Sequence, residues 1–292
     1  MAIDRRTFLR TAGTVPALAA LSATHAGRAL AQHKTFQPQP GTWRTYEITT
    51  RVEIAKPAGV SRVWIPVPSV DDTYQRTLET QWSSSGSGNA GTIQTFRDGK
   101  YGATGVYAEF AETTAAPVVE VVSRIRAQDR AQDWSRRTPT AEDAGTLKFW
   151  TAATDLMPTD GIVRDTAMGI VRGKRTELDR VRALYEWTID NTFRDVNVRG
   201  CGVGDIKAML ETNSMGGKCG DINALFVGLN RAIGIPARDV YGIRVGPSAF
   251  GYKSLGAGNA NVTRAQHCRA EVFLRDYGWV AMDPADVGNA MR

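Results

Sequence analysis

Histidine and cysteine are both scarce: the 292-residue chain has three of each. His25 and His33 lie ahead of any stretch that reads as folded, so imidazole chemistry in a folded domain must use His267. The cysteines are Cys201, Cys219 and Cys268, and an odd number leaves at least one free thiol unless a partner chain pairs with it. No C-x-x-C pair is present, and His267 and Cys268, adjacent on one strand, should aim at opposite faces. A zinc site is therefore not expected, nor is any other metal or cofactor. An EF-hand loop is missing too, so calcium dependence is not expected. Beyond the N-terminus no apolar run approaches the length of a bilayer span, so the mature protein should lack a transmembrane segment. Basic runs are missing as well. The net charge is +6, but residues 1–31 hold four arginines against Asp4, so +3 of it belongs there. The rest carries too little clustered charge for a nucleic-acid partner. CGVGD at 201–205 is too short for a phosphate loop, and no internal repeat is evident.

What is present is a core-forming composition, 42% apolar and 23% charged. The N-terminus reads MAIDRRTFLR, then a short, mildly apolar run broken by Gly13 and Pro16, then small residues at Ala29-Leu30-Ala31. Paired arginines before such a run predict a twin-arginine export signal over 1–31. Cleavage near Ala31, handling by the twin-arginine machinery and a periplasmic or secreted destination follow from it.

Residues 32–41 are polar and proline-containing, and read as a linker. From 42 to 135 short alternating segments are separated by Gly, Pro and Ser turns, which predicts an N-terminal β-sandwich-like domain. The strand candidates are WRTYEITTRVEI, RVWIPVP, YGATGVYAEFAE and PVVEVVSRIRA, and WSSSGSGNAGT reads as a flexible turn. From 142 to 292 the pattern is α+β, with helices first and an antiparallel sheet after. Thr140 is a candidate helix cap. TELDRVRALYEWTIDNTF predicts a helix capped by Thr176. A second helix starts at Lys218 or Cys219. Ile222, Leu225, Phe226, Leu229 and Ile233 make one apolar stripe on it, and Gly234 and Pro236 end it. ARDVYGIRV, HCRAEVFL and WVAM read as strands.

Cys219 stands between glycines at the head of that second helix. Unpaired N–H groups at a helix start favour a thiolate, the reactive form of cysteine. An imidazole can take the thiol proton and later pass it to a leaving amine, and a carboxylate on the other ring nitrogen fixes the tautomer. His267 opens a strand and Asp283 closes the next one, which suits such a triad. Register decides whether they can meet. A two-residue turn at Asp276-Tyr277 would put Asp283 on the face opposite His267, so the triad demands an odd loop or a bulge, for example one centred on Arg275. Glu271, on His267's strand face, is a substitute acid. Cys268 should face away from His267 and could pair with Cys201 in a disulfide.

GGKCGDINALFVGLNRAIGIPARDVYGIRV and AQHCRAEVFLRDYGWVAMDPADV together resemble the core of the transglutaminase-like superfamily, a papain-type cysteine fold. Cys219 at the helix head, GIPAR at 234–238, His267 opening a strand and Gly278-Trp279 before Asp283-Pro284 carry the resemblance, over about 75 residues. It implies Cys219 as nucleophile, His267 as general base and acid, and Asp283 as orienting acid. Attack on amide or ester carbonyls through a thioester follows, with a peptide or protein as substrate and hydrolysis favoured over cross-linking. The oxyanion would be held by the Cys219 N–H, with Gln266 and Asn213 as candidates for a second donor. The β-rich N-terminal part resembles that of exported bacterial members. The chain ends nine residues after Asp283, short for the family, which leaves its C-terminal end possibly incomplete. The rival reading is a non-catalytic periplasmic binding or envelope-assembly protein that keeps the fold.

Overall fold

Alternating apolar and polar residues build β1 (Arg44–Glu53) and β6 (Ala115–Ala127), which pair antiparallel along their length. The computed structural model describes residues 39–87, 91–248, 251–252 and 255–291. The export signal expected over 1–31 and most of the linker lie outside the described residues. β6 is the middle strand of a three-stranded sheet, β1-β6-β3, in which β3 spans Gln75–Ser87. A second antiparallel sheet orders β2 (Ser61–Pro66), β5 (Thr104–Phe110) and β4 (Thr92–Arg97) with β5 in the middle. Ile65, Val106, Ala108 and Phe110 from this sheet share a buried cluster with Val119 and Val121 of β6. The segment read as a flexible turn from Trp82 is strand as far as Ser87. Serine has little strand preference of its own; pairing with the long β6 decides the conformation.

Helices follow. α1 (Ala144–Phe149) is capped by Asp143, whose side chain accepts from Thr146 N at 2.7 Å, three residues later than the expected cap at Thr140. α2 spans Gly161–Ile170, and α3 (Glu177–Asn191) begins at the expected Thr176 cap. The two-residue strands β7 (Phe193–Arg194) and β8 (Gly216–Gly217) pair in parallel on either side of α4 (Ile206–Glu211). The helix from Cys219 is α5 (Cys219–Ala232), and every residue of it is buried. Gly234, at φ +80°, ends it as predicted.

α5 lies against a three-stranded antiparallel sheet of β9 (Ala237–Ile243), β10 (Gln266–Leu274) and β11 (Gly278–Met282), with β10 in the middle. Leu225, Leu229, Ala270, Val272 and Val280 belong to the shared core. The β10–β11 loop holds three residues, Arg275 to Tyr277, because Leu274 pairs with Gly278. Tyr277 N donates to Leu274 O, and Gly278 takes φ +70°. That combination of a tight turn and a left-handed glycine is the usual three-residue hairpin. The loop is odd, as the triad demands, and centres on Asp276 rather than Arg275. After β11, α6 (Pro284–Ala290) starts with proline in its first turn and Asp283 as its cap, accepting from Asp286 N at 3.0 Å.

Glu271 is nearly inaccessible at 1% exposure, yet it is charged. Arg238 donates twice to its Oε2, at 2.9 and 2.7 Å, and Arg130 pairs with Oε1. Tyr74 from the strand-rich part also donates to Oε1, at 3.3 Å. Burial pushes this carboxyl up, but the charges of Arg130 and Arg238 outweigh it and hold the group below its usual value. Glu271 is thus engaged by arginines and is not free to orient His267. Glu271→Gln removes the shared counter-charge and should destabilise the protein by about 3–5 kcal/mol. Urea unfolding of the variant against the parent checks this; a loss within about 0.5 kcal/mol would mean the cluster is not a structural hinge-pin.

Candidate active site

The loop parity settles which side chains can meet. With Leu274 opposite Gly278, the register continues to place Asp283 across from Arg269, two residues from His267 and on the same face. His267 Nε2 and Asp283 Oδ2 are hydrogen-bonded, which leaves Nδ1 as the ring's other nitrogen. Cys219 stands beside this pair, close enough for His267 to lower its pKa. The three residues singled out in the sequence are brought together.

Cys219 is 7% exposed at the first position of α5. β11 ends before it would cover Cys268, so the backbone of β10 at Cys268 has an open edge. An α5 side chain one turn after Cys219 meets it: Asn223 Nδ2 donates to Cys268 O at 2.6 Å. Asn223 also reaches Asp283 Oδ1 at 3.3 Å, so it ties strand, helix and carboxylate together. A polar residue interrupting an apolar helix four positions after a candidate nucleophile was the signal for this residue, and sequence reading passed over it.

The electrostatics favour a charged pair. A hydrogen bond from the Cys268 thiol is the largest effect on Cys219 and lowers its pKa; His267 lowers it further, and together they outweigh burial. Burial depresses His267, but the bonds to Asp283 and Cys219 raise it to about 9. Both shifts favour a thiolate beside an imidazolium. The Cys268 thiol is pushed up in turn, mainly because it donates to Cys219.

A second carboxylate stands close by. Asp286 Oδ2 is 3.5 Å from His267 Nε2, and Arg244 at the end of β9 holds Asp286 at 2.5 Å. Tyr185 of α3 donates to the Asp283 carbonyl at 3.3 Å. These contacts fix the ring from its far side and were not foreseen in the sequence. Of the candidates for a second oxyanion donor, Gln266 opens β10 and Asn213 sits at φ +51° after α4, both exposed.

The glycines around Cys219 have a specific use. Gly220 N donates to Cys201 O at 2.8 Å, and a Cβ at Gly220 would lie 2.4 Å from that oxygen. Asp221 accepts from Val203 N, Gly204 N and Lys218 N at 2.8, 2.8 and 2.9 Å. The loop that starts at Cys201 is thereby pinned to the head of α5. Gly202, at φ +95°, permits this, since a Cβ there would meet Asp221 Oδ2 at 1.9 Å. All three cysteines are free thiols, and their sulfurs lie within 4.8 Å of one another. Cys268 is thus a neighbour of Cys219, because α5 approaches the strand from Cys268's side.

Residues 164–284 match the family model of the transglutaminase-like superfamily. An uncharacterized protein of Haemophilus influenzae is 33% identical over 259 residues, covering 83% of this chain and 69% of the relative. Among solved structures, a candidate cysteine protease from Cytophaga hutchinsonii superposes with a TM-score of 0.62 at 13% identity, covering 84% of this chain and 78% of that one. The periplasmic domain of TgpA from Pseudomonas aeruginosa overlaps more loosely, with a TM-score of 0.43 at 15% identity over 91% of this chain and 94% of that one. With the helix-borne cysteine packed on an antiparallel sheet and the family match lying across it, the chain belongs to the transglutaminase-like superfamily.

Proposed function

We propose that the protein is a thiol-dependent enzyme that cleaves amide bonds in peptides or proteins through a thioester on Cys219. The observation that carries this reading is Cys219 at the head of α5 beside the hydrogen-bonded pair His267–Asp283, which favours the thiolate. The thiolate attacks the carbonyl carbon, and the oxyanion that forms is met by the Cys219 N–H at the head of α5. As the C–N bond breaks, the His267 imidazolium gives its proton to the leaving amine. Neutral His267 then takes a proton from water, and the resulting hydroxide adds to the thioester and expels the thiolate. Asp283 keeps Nε2 engaged throughout, so Nδ1 always faces the sulfur. Nothing in the site specifies an amine acceptor, and water is abundant, so hydrolysis is favoured over cross-linking. The arginine pair at residues 5 and 6 supports export by the twin-arginine machinery, with cleavage near Ala31 and work in the periplasm or outside the cell. Residues 42–135 would form an accessory β-domain and 142–292 the catalytic domain. No helix among the described residues is long and apolar enough to cross a membrane.

Two measurements test the reading. The rate of iodoacetamide labelling at Cys219 should hold nearly constant from about pH 7.5 down to about pH 5.5, whereas an ordinary thiol slows about a hundredfold. His267→Ala should steepen the slope; a steep slope in the unmodified protein would favour the non-catalytic rival. The second uses turnover of p-nitrophenyl acetate. Asp283→Asn keeps a side chain able to cap α6, so the fold should persist while kcat falls by about 10²–10⁴-fold. For the parent, kcat/KM should fall as pH rises through about 9, where His267 loses its proton. Acceleration by added methylamine, with the acetylated amine as product, would instead mark a transferase.

A further inference from the structure

We propose that Cys201, Cys219 and Cys268 form a three-sulfur site for a soft, closed-shell cation, with monovalent copper the best match. A cation about 2.3 Å from each of three sulfurs in a plane holds them roughly 4 Å apart. The three sulfurs here already lie within 4.8 Å of one another. They come from three separately anchored elements, so little has to be ordered on binding. Cys201 is pinned by Gly220 N and by the loop bonds to Asp221; Cys219 heads α5; Cys268 lies in the middle strand of the sheet.

The donor set chooses the ion. Thiolates prefer soft cations, and zinc in a structural site takes four ligands. Among the described residues no histidine, aspartate or glutamate atom joins the three sulfurs within that distance; His267, Asp283 and Asp286 form their own group. Three sulfurs without a fourth ligand suit monovalent copper better than zinc. Binding to the Cys219 thiolate and two neighbouring thiols makes three S–Cu bonds and releases two protons to solvent. The imidazolium of His267 and the nearby Arg194 offset part of the negative charge. Cys201 is half-buried on its loop, whereas Cys268 is 1% exposed, so the ion would enter past Cys201. Occupancy would cap the Cys219 sulfur and silence it, but the site stands whether or not that sulfur is a nucleophile.

The test is an anaerobic titration of the reduced full chain with Cu(I) buffered by a chromogenic chelator. The expected result is one copper per chain, a thiolate-to-copper charge-transfer band, and protection of all three cysteines from iodoacetamide. Cys201→Ser should weaken binding by about a hundredfold or more, since even outer-shell partners are worth 10–100-fold. Cys201 is on a loop, so this variant carries the test even if Cys268→Ser fails to fold. Binding by Cys201→Ser as tight as the parent's, or undiminished labelling of Cys201 and Cys268 in the loaded protein, would overturn the proposal. Cys219 reactivity in the metal-free protein is read separately: if it persists while copper fails to bind, only the metal site falls, and the reverse sinks only the enzyme.

Discussion

The site depends on the parity of one hairpin. Three residues between β10 and β11 put Asp283 on the face of His267; two would have put it on the other. The turn is closed by the Tyr277 N–H to Leu274 O, and Gly278 supplies the left-handed residue that completes it. A side chain at 278 would strain that conformation and favour a different loop length. One backbone choice remote from the sulfur therefore determines whether an imidazole and a carboxylate can share a proton. Proline in the first turn of α6 and Asp283 as its cap then hold the carboxylate at its position.

The second constraint is the open edge of β10 at Cys268. Where β11 stops pairing, the strand's C=O at Cys268 needs a partner, and α5 supplies one through Asn223. A buried carbonyl left unpaired would cost about 1–3 kcal/mol, so Asn223 locks helix and strand in register one turn from the sulfur. Stability and chemistry thus share one seam. The loop that begins at Cys201 closes the other side, fastened through Asp221, which explains a carboxylate so near a thiolate: three backbone N–H groups already engage it.

Much of this was legible in the sequence, because helix heads, apolar stripes and strand alternation are local signals. The α5 stripe and its Gly234 end, the Thr176 cap and the strands of the C-terminal sheet followed from spacing alone. His267 followed from scarcity, since it had no competitor; Cys219 and Asp283 as its partners followed from the family resemblance, and the need for an odd loop from strand periodicity. What stayed hidden was non-local. β3 carries Trp82 to Ser87 because β6 recruits it, not because serine prefers strand. Asn223 meets Asp283, and Asp286, held by Arg244, meets His267, only once α5, α6 and β9 have packed. Cys268 was assigned to the far face correctly, but the helix that bears Cys219 arrives on that face.

The central claim is that Cys219 rests as a thiolate stabilised by His267 and the Cys268 groups. It is tested most directly by ultraviolet titration of thiolate absorbance in the parent protein minus Cys219→Ala. The account predicts one thiolate that persists at about pH 5.5, well below the ordinary thiol value of about 8.5. A difference signal that emerges only as pH rises through about 8.5 would contradict it.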